Sequence, residues 1–100
     1  MTVDSKFINN ESEHQYELHV EGHVAKIDYL KSANEEIYLT HTEVPAALGG
    51  KGIGSQLVEK VLNDIEQLGL HLIPLCPFVS DYIQKHPEWE RIVLKSSRDN

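Results

Sequence analysis

The apolar positions of this chain fall into two rhythms, and the change from one to the other divides it. From Gln15 to Val20 the residues alternate, with Tyr16, Leu18 and Val20 opposed to Glu17 and His19. The alternation resumes over residues 24–30, where Ala25, Ile27 and Tyr29 oppose Lys26 and Asp28. A period of two turns one side of each segment toward a core and the other toward water, so both read as half-buried strands. The polar Glu21-Gly22-His23 joins them as a hairpin. A second polar turn over residues 31–35 leads to a longer β-rich run over residues 36–44, which completes three antiparallel strands. Ahead of them, Phe7-Ile8 is the first apolar pair able to fix the chain and is read as a further strand.

The second rhythm is helical. Ile53, Leu57, Val58, Val61, Leu62, Ile65 and Leu68 recur three or four apart, which predicts a helix over residues 55–68 with one buried face, stopped by Gly69. Residues 70–76 are short, apolar and bounded by Gly69 and Pro77, the pattern of a strand buried between layers. A helix joining neighbouring parallel strands makes a right-handed crossover, so this strand is predicted parallel to residues 36–44. Both strands then end at one edge, which also carries the loop between them. Pro74 has no N–H to give to a ladder, so one side of the strand must be unpaired there. Pro77 suits the first turn of a second helix, with Phe78, Val79, Tyr82 and Ile83 on an apolar face. Residues 91–94 read as a last short strand, with Trp89 as its packing anchor. The polar ends, residues 1–5 and 95–100, are expected to be loose. These readings give an α+β fold with a mixed sheet, in a single domain over residues 1–100.

Composition narrows the functions. Hydrophobic residues make up 40% of the chain and charged residues 25%, as in ordinary globular proteins. The net charge of −7 supplies no basic face, which argues against nucleic acid as a partner. The apolar runs are far below the ~20 residues of a membrane span, and the first residues have no signal-peptide pattern, so no membrane partner and a cytoplasmic location are expected. A lone cysteine, Cys76, excludes an internal disulfide. Of six histidines, His14, His19 and His23 gather in the first hairpin, but His19 and His23 flank a turn and no Cys or second acidic ligand stands at zinc-type spacing, so no metal is expected.

The candidate chemistry sits where the rhythms meet. Between strand and helix run Gly49-Gly50-Lys51-Gly52-Ile53-Gly54-Ser55, with four glycines in six residues. Free of Cβ atoms, such a backbone can turn successive N–H groups toward an anion, and a helix N-terminus adds the positive end of its dipole. Lys51 faces either a bound phosphate or solvent. A Walker A loop requires Lys then Ser or Thr after the last glycine, and Gly54 is followed by Ser55-Gln56. A dinucleotide fingerprint requires G-x-G-x-x-G, whereas Gly50, Gly52 and Gly54 stand at every second position.

The loop resembles the pyrophosphate loop of the GNAT superfamily of acetyl-CoA-dependent N-acetyltransferases. Its pattern there is Gln or Arg, two residues, Gly, one residue, then Gly or Ala. Gly52-Ile53-Gly54 fills the second half, and Gly49 stands where Gln or Arg is usual. Leu75-Cys76-Pro77-Phe78 downstream resembles a small subfamily of about this chain's length that pairs the loop with a cysteine after the next strand. The resemblance covers residues 16–94. It implies a minimal GNAT-like fold, antiparallel strands followed by a β-α-β unit whose parallel strands splay apart to admit the pantetheine arm. It also implies acetyl-CoA as cofactor, held by Val44, Gly49, Gly50, Lys51, Gly52, Ile53, Gly54 and Ser55, with an unidentified amine as acceptor. The helices usually found between the first two strands are missing, so an open acceptor side is expected; separately, the chain is expected to be a monomer.

Acetyl transfer requires a proton acceptor for the amine, donors for the developing oxyanion and a proton for the departing thiolate. His41 and Glu43 share a strand face just before the loop and are either the base or solvated strand residues. Backbone N–H groups near Val44 are the oxyanion donors that the resemblance implies. Tyr82 is either the acid that protonates the sulfur or a core tyrosine. Cys76 ends a strand and precedes a helix start, where thiolates are favoured, yet free cysteines are also common packing residues. It is therefore an acetyl acceptor, a thioester neighbour, a redox-sensitive site or a structural residue. Three functions remain open: an N-acetyltransferase, a non-catalytic acyl-CoA sensor or carrier that could acetylate itself at Cys76, and a plain interaction domain.

Overall fold

Five strands form one sheet in chain order, β1 (Ser5–Asn10), β2 (Gln15–Val20), β3 (His23–Lys31), β4 (Glu36–Glu43) and β5 (His71–Pro74). The first four are antiparallel to their neighbours and β5 is parallel to β4. The computed structural model describes residues 5–94, and the expected loose ends lie outside that range apart from Ser5, which opens β1. Helix α1 (Ile53–Leu68) is the β4-to-β5 crossover, and α2 (Pro77–Lys85) follows β5. Among these residues no helix is long and apolar enough to cross a membrane.

The alternating residues do what their period requires. Tyr16, Leu18, Val20, Ala25, Ile27 and Tyr29 are sealed beneath α1, whose Leu57, Val58, Val61, Leu62 and Ile65 fill the other half of the core. Each such aliphatic side chain contributes about 1.5–3 kcal/mol of transfer free energy. The Tyr16 hydroxyl crosses this interface to donate to Asp64 Oδ2 at 2.8 Å, and burial, reinforced by that carboxylate, raises the phenol pKa well above the usual range. The Phe7 ring stacks on Tyr16 at 5.6 Å, which is why the Phe7-Ile8 pair sits within a strand of six residues.

Several features differ from the sequence reading, among them β5, which spans His71–Pro74 and not residues 70–76. Helix α1 starts at Ile53, because Gly52 takes the left-handed N-cap position. Its last turn overhangs the core, so Leu68, assigned to the buried face, is 51% exposed. Residues 91–94 do not form a strand. A 3-10 segment runs from Pro87 to Ile92, burying Trp89 and Ile92 three apart, and only Val93 makes one parallel bridge, to Leu72. Arg91, in the last turn of the segment, holds its guanidinium 4.8 Å from the Trp89 ring and pairs with Glu66 of α1 at 2.7 Å.

The edge that matters most is β4 against β5. Their ladder ends at Leu39↔Pro74, while β4 continues through Thr40 to Glu43. Leu39 O accepts from both Leu75 N at 3.1 Å and Cys76 N at 2.9 Å, which closes the pairing. Beyond it β5 has ended, and β4 runs on without a ladder partner on this side among the described residues. The ladder thus stops at Pro74, the place where the resemblance implies an opening.

Candidate functional site

Val44 and Pro45 carry the chain out of β4 into a 3-10 turn, Ala46–Leu48, whose Leu48 is buried and anchors the loop from below. Gly50 and Gly52 then adopt φ of 75° and 72°, where an L-residue is strained by about 1–2 kcal/mol. These reversals leave a run of unsatisfied donors. Among the described residues, the N–H groups of Gly50, Lys51, Gly52, Ile53, Gly54 and Ser55 have no hydrogen-bond acceptor. The space above them is open, since a Cβ built at Gly50 or Gly52 meets nothing within 4 Å. No acidic residue occupies the first turn of α1 to satisfy or repel there. Unpaired N–H groups at the positive end of a sixteen-residue helix are a donor set suited to a phosphate or diphosphate.

Lys51 does something the sequence did not suggest. Its ammonium pairs with Glu21 Oε1 at 2.9 Å, fastening the loop to the β2–β3 turn. Gly54 has its own reason for lacking a side chain. A Cβ there would come 2.6 Å from Phe78 Cζ of α2, so the close approach of α2 to the start of α1 depends on it. Phe78, Ser55 and Tyr82 line one open depression of about 200 Å³, with Asp81, Lys85 and His86 at its sides. The Tyr82 ring stacks on His86 at 4.2 Å, and burial, then the nearby Glu59 and Glu88, raise the phenol pKa above its ordinary value.

On β4, a β-bulge decides which side chains face which way. Tyr29 pairs with Leu39 but Asp28 pairs with His41, so Thr40 is the extra residue, its hydroxyl donating to Asp28 O at 3.3 Å. Past the bulge, Thr42 is opposite the fully buried Ile27 and joins the helix-covered face. There Thr42 Oγ1 meets Cys76 Sγ at 3.1 Å, a contact between β4 and the N-cap of α2 that pattern reading missed. Cys76 is 5% exposed and sits at the N-cap of α2. His41 and Glu43 are opposite Asp28 and Lys26 on the other, uncovered face. Both are exposed. His41 has no side-chain partner among the described residues, and the Glu43 carboxylate is 4.0 Å from the Lys26 ammonium.

The expected site residues therefore fall in three places. Val44 and residues 49–55 build the loop, Tyr82 joins Ser55 at its flank, and the strand ends divide Cys76 from His41 and Glu43 by the thickness of the sheet. The sequence carried no signal for Thr42, because its orientation depends on the bulge. The expected metal-free reading is not tested by this arrangement, in which no three His, Cys, Asp or Glu side chains gather among the described residues.

The fold has a close counterpart among solved structures. A protein from Staphylococcus aureus described as GCN5-like, solved in solution by NMR, superposes with a TM-score of 0.70 over 95% of this chain and 93% of its own, at 24% identity. That likeness is one of fold. Sequence supplies the rest, because the model of the family described as GCN5-related N-acetyl-transferase matches residues 15–92, from the first strand of the hairpin through the glycine loop to the 3-10 segment. On the match of its sequence to that model, and with a fold to suit, the chain belongs to the GCN5-related N-acetyltransferase family.

Proposed function

We propose that the chain binds acetyl-CoA at the glycine loop and transfers the acetyl group to an amine. One observation carries this reading: six consecutive N–H groups without acceptors stand beside a parallel strand pair whose ladder ends at Leu39↔Pro74. The backbone from Gly50 to Ser55, bordered by Val44 and Gly49, is suited to hold the diphosphate, with the space past that ladder as the route for the arm. When bound, acetyl-CoA supplies a thioester whose C–S bond breaks as a C–N bond to the amine forms.

The chain's own residues then have two proton tasks. An amine arrives largely as ammonium at neutral pH and must lose a proton before it can attack. Glu43 and His41, exposed on the uncovered face, take that proton directly or through water. The departing sulfur needs a proton in return, and the Tyr82 phenol, protonated at neutral pH, is the donor. Backbone N–H groups near Val44 serve the developing oxyanion. The acceptor comes from the open side and the coenzyme from the helix side. Cys76 lies on the helix side, away from His41 and Glu43, so neither is a base for its thiol. That separation favours direct attack by the amine over a covalent acyl-cysteine route. In the second reading, a non-catalytic acyl-CoA sensor or carrier, Cys76 at the start of α2 is the acylated group.

Release of free CoA from acetyl-CoA, followed with and without amines, separates the two. Amine-dependent release whose pH profile flattens in His41→Ala or Glu43→Gln is the expected result. Binding of acetyl-CoA with no amine-dependent release selects the sensor, and no binding rejects both.

A further inference from the structure

Resting on that reading, we infer that Glu21, on the turn between β2 and β3, sets the affinity for the coenzyme by competing with its phosphates for Lys51. Between Val44 and Glu59 the chain has no other lysine or arginine. The loop proposed to hold a diphosphate thus has one cation of its own, in a chain whose net charge is −7. That cation is already engaged, with Lys51 Nζ 2.9 Å from Glu21 Oε1. A phosphate seated on the N–H groups of Gly50 to Ser55 stands beside the Lys51 backbone, whose own N–H is one of the free donors. The ammonium is carried on a flexible four-carbon stem, so it can leave the carboxylate for a phosphate on its own loop with no change in the backbone.

The pair has the character of an exchangeable contact. Its side chains are 47% exposed at Lys51 and 44% at Glu21, so water screens them and the pair is weak. Other contacts hold the loop in shape. Leu48 is buried beneath it, Leu48 N and Gly49 N bond back to Pro45 O and Ala46 O at 2.9 and 3.0 Å, and Phe78 packs against Gly54. Glu21, in turn, occupies a costly position. Val20 pairs with His23, so Glu21 and Gly22 are the whole hairpin loop, with φ of 53° and 79°. A two-residue turn with both φ positive favours Asn, Asp or Gly, and a glutamate there is strained. The strained residue is the one whose carboxylate meets the loop's single cation. Coenzyme binding then separates the pair and leaves Glu21 to water, and coenzyme release restores it.

The test is calorimetric titration with CoA at low salt of the wild type, Glu21→Gln, Glu21→Asp and Lys51→Gln, with thermal melts to show that each variant is folded. Glu21→Asp keeps the negative charge on a side chain one carbon shorter, which separates competition for Lys51 from charge alone. Glu21→Gln and Glu21→Asp are each expected to bind CoA roughly two- to fivefold more tightly than the wild type, the scale of an exposed ion pair, and Lys51→Gln more weakly. In the wild type, saturation with CoA should also move the Glu21 carboxyl ¹³C resonance to where it stands in ligand-free Lys51→Gln. Unchanged or weaker binding in both Glu21 variants overturns the inference, because the pair is then idle or braces the loop. Tighter binding in Glu21→Gln alone assigns the effect to charge and overturns it too, as does a Glu21 resonance that CoA leaves unmoved. Absence of CoA binding in the wild type rejects the coenzyme reading itself, and the inference with it, whereas CoA binding with equal affinities overturns the inference alone.

Discussion

At the scale of single residues, the glycines of the loop were legible because their reason is local. Gly50 and Gly52 stand in the left-handed region, and spacing alone marked them. Gly52→Glu is expected to fold, less stable by roughly 1–2 kcal/mol for the φ of 72°, and to lose CoA binding because a carboxylate enters the open space where an anion must sit. Thermal melts and calorimetric titration check both halves, and wild-type affinity would remove the loop from the site. Alternation shows Glu17 only as the polar half of a strand, because its donors come from three separate positions. Hydrogen bonds from Gln15 first, then Asn10 and His19, hold its carboxyl down at about 2, from an ordinary value of 4.5. A depressed folded-state pKa contributes stability that is complete above the unfolded value and lost as pH falls through the folded one. Urea midpoints should therefore fall between about pH 4.5 and 2 in the wild type. Glu17→Gln should show a shallower decline over that window, and parallel curves would contradict the assignment.

Among the elements, strong periodicity was readable and tertiary hydrogen bonding was not. The hairpin and the buried face of α1 followed from spacing. The bulge at Thr40 leaves no trace in composition, yet it sends Thr42 to Cys76 and His41 to the open face. Residues 91–94 misled because Ile92-Val93 are β-branched. The better signal was Pro87 as a helix starter, with Glu88 and Glu90 in the first turn and Trp89 and Ile92 spaced three apart. Because a bulge bends and twists its strand, deleting Thr40 should straighten β4 while keeping the faces of the residues after it. The variant is expected to fold, to extend the β4–β5 pairing past Leu39, and to bind CoA roughly tenfold more weakly, about 1.4 kcal/mol. Amide exchange of Thr42 and Glu43 checks the pairing, and unchanged exchange with unchanged affinity would separate the bulge from the end of the ladder.

For the whole molecule, one sheet separates a helix-covered side from an open one, and the candidate groups are divided between them. Two substrates approaching from opposite sides can be bound together. Steady-state kinetics with both varied should therefore give intersecting double-reciprocal lines, and Cys76→Ala should keep turnover while losing stability, about 1 kcal/mol as for many single substitutions. Parallel lines, with an acetyl group on Cys76 formed without amine and consumed at the turnover rate, would establish the covalent route instead. On the proposed function, the loop's unpaired N–H groups hold the coenzyme. The most direct measurement is a titration of the ¹⁵N-labelled protein with CoA, following each backbone amide. Saturable shifts concentrated at Gly50, Lys51, Gly52, Ile53, Gly54 and Ser55 are expected, and saturation that leaves those amides unmoved would rule out the loop as the coenzyme site.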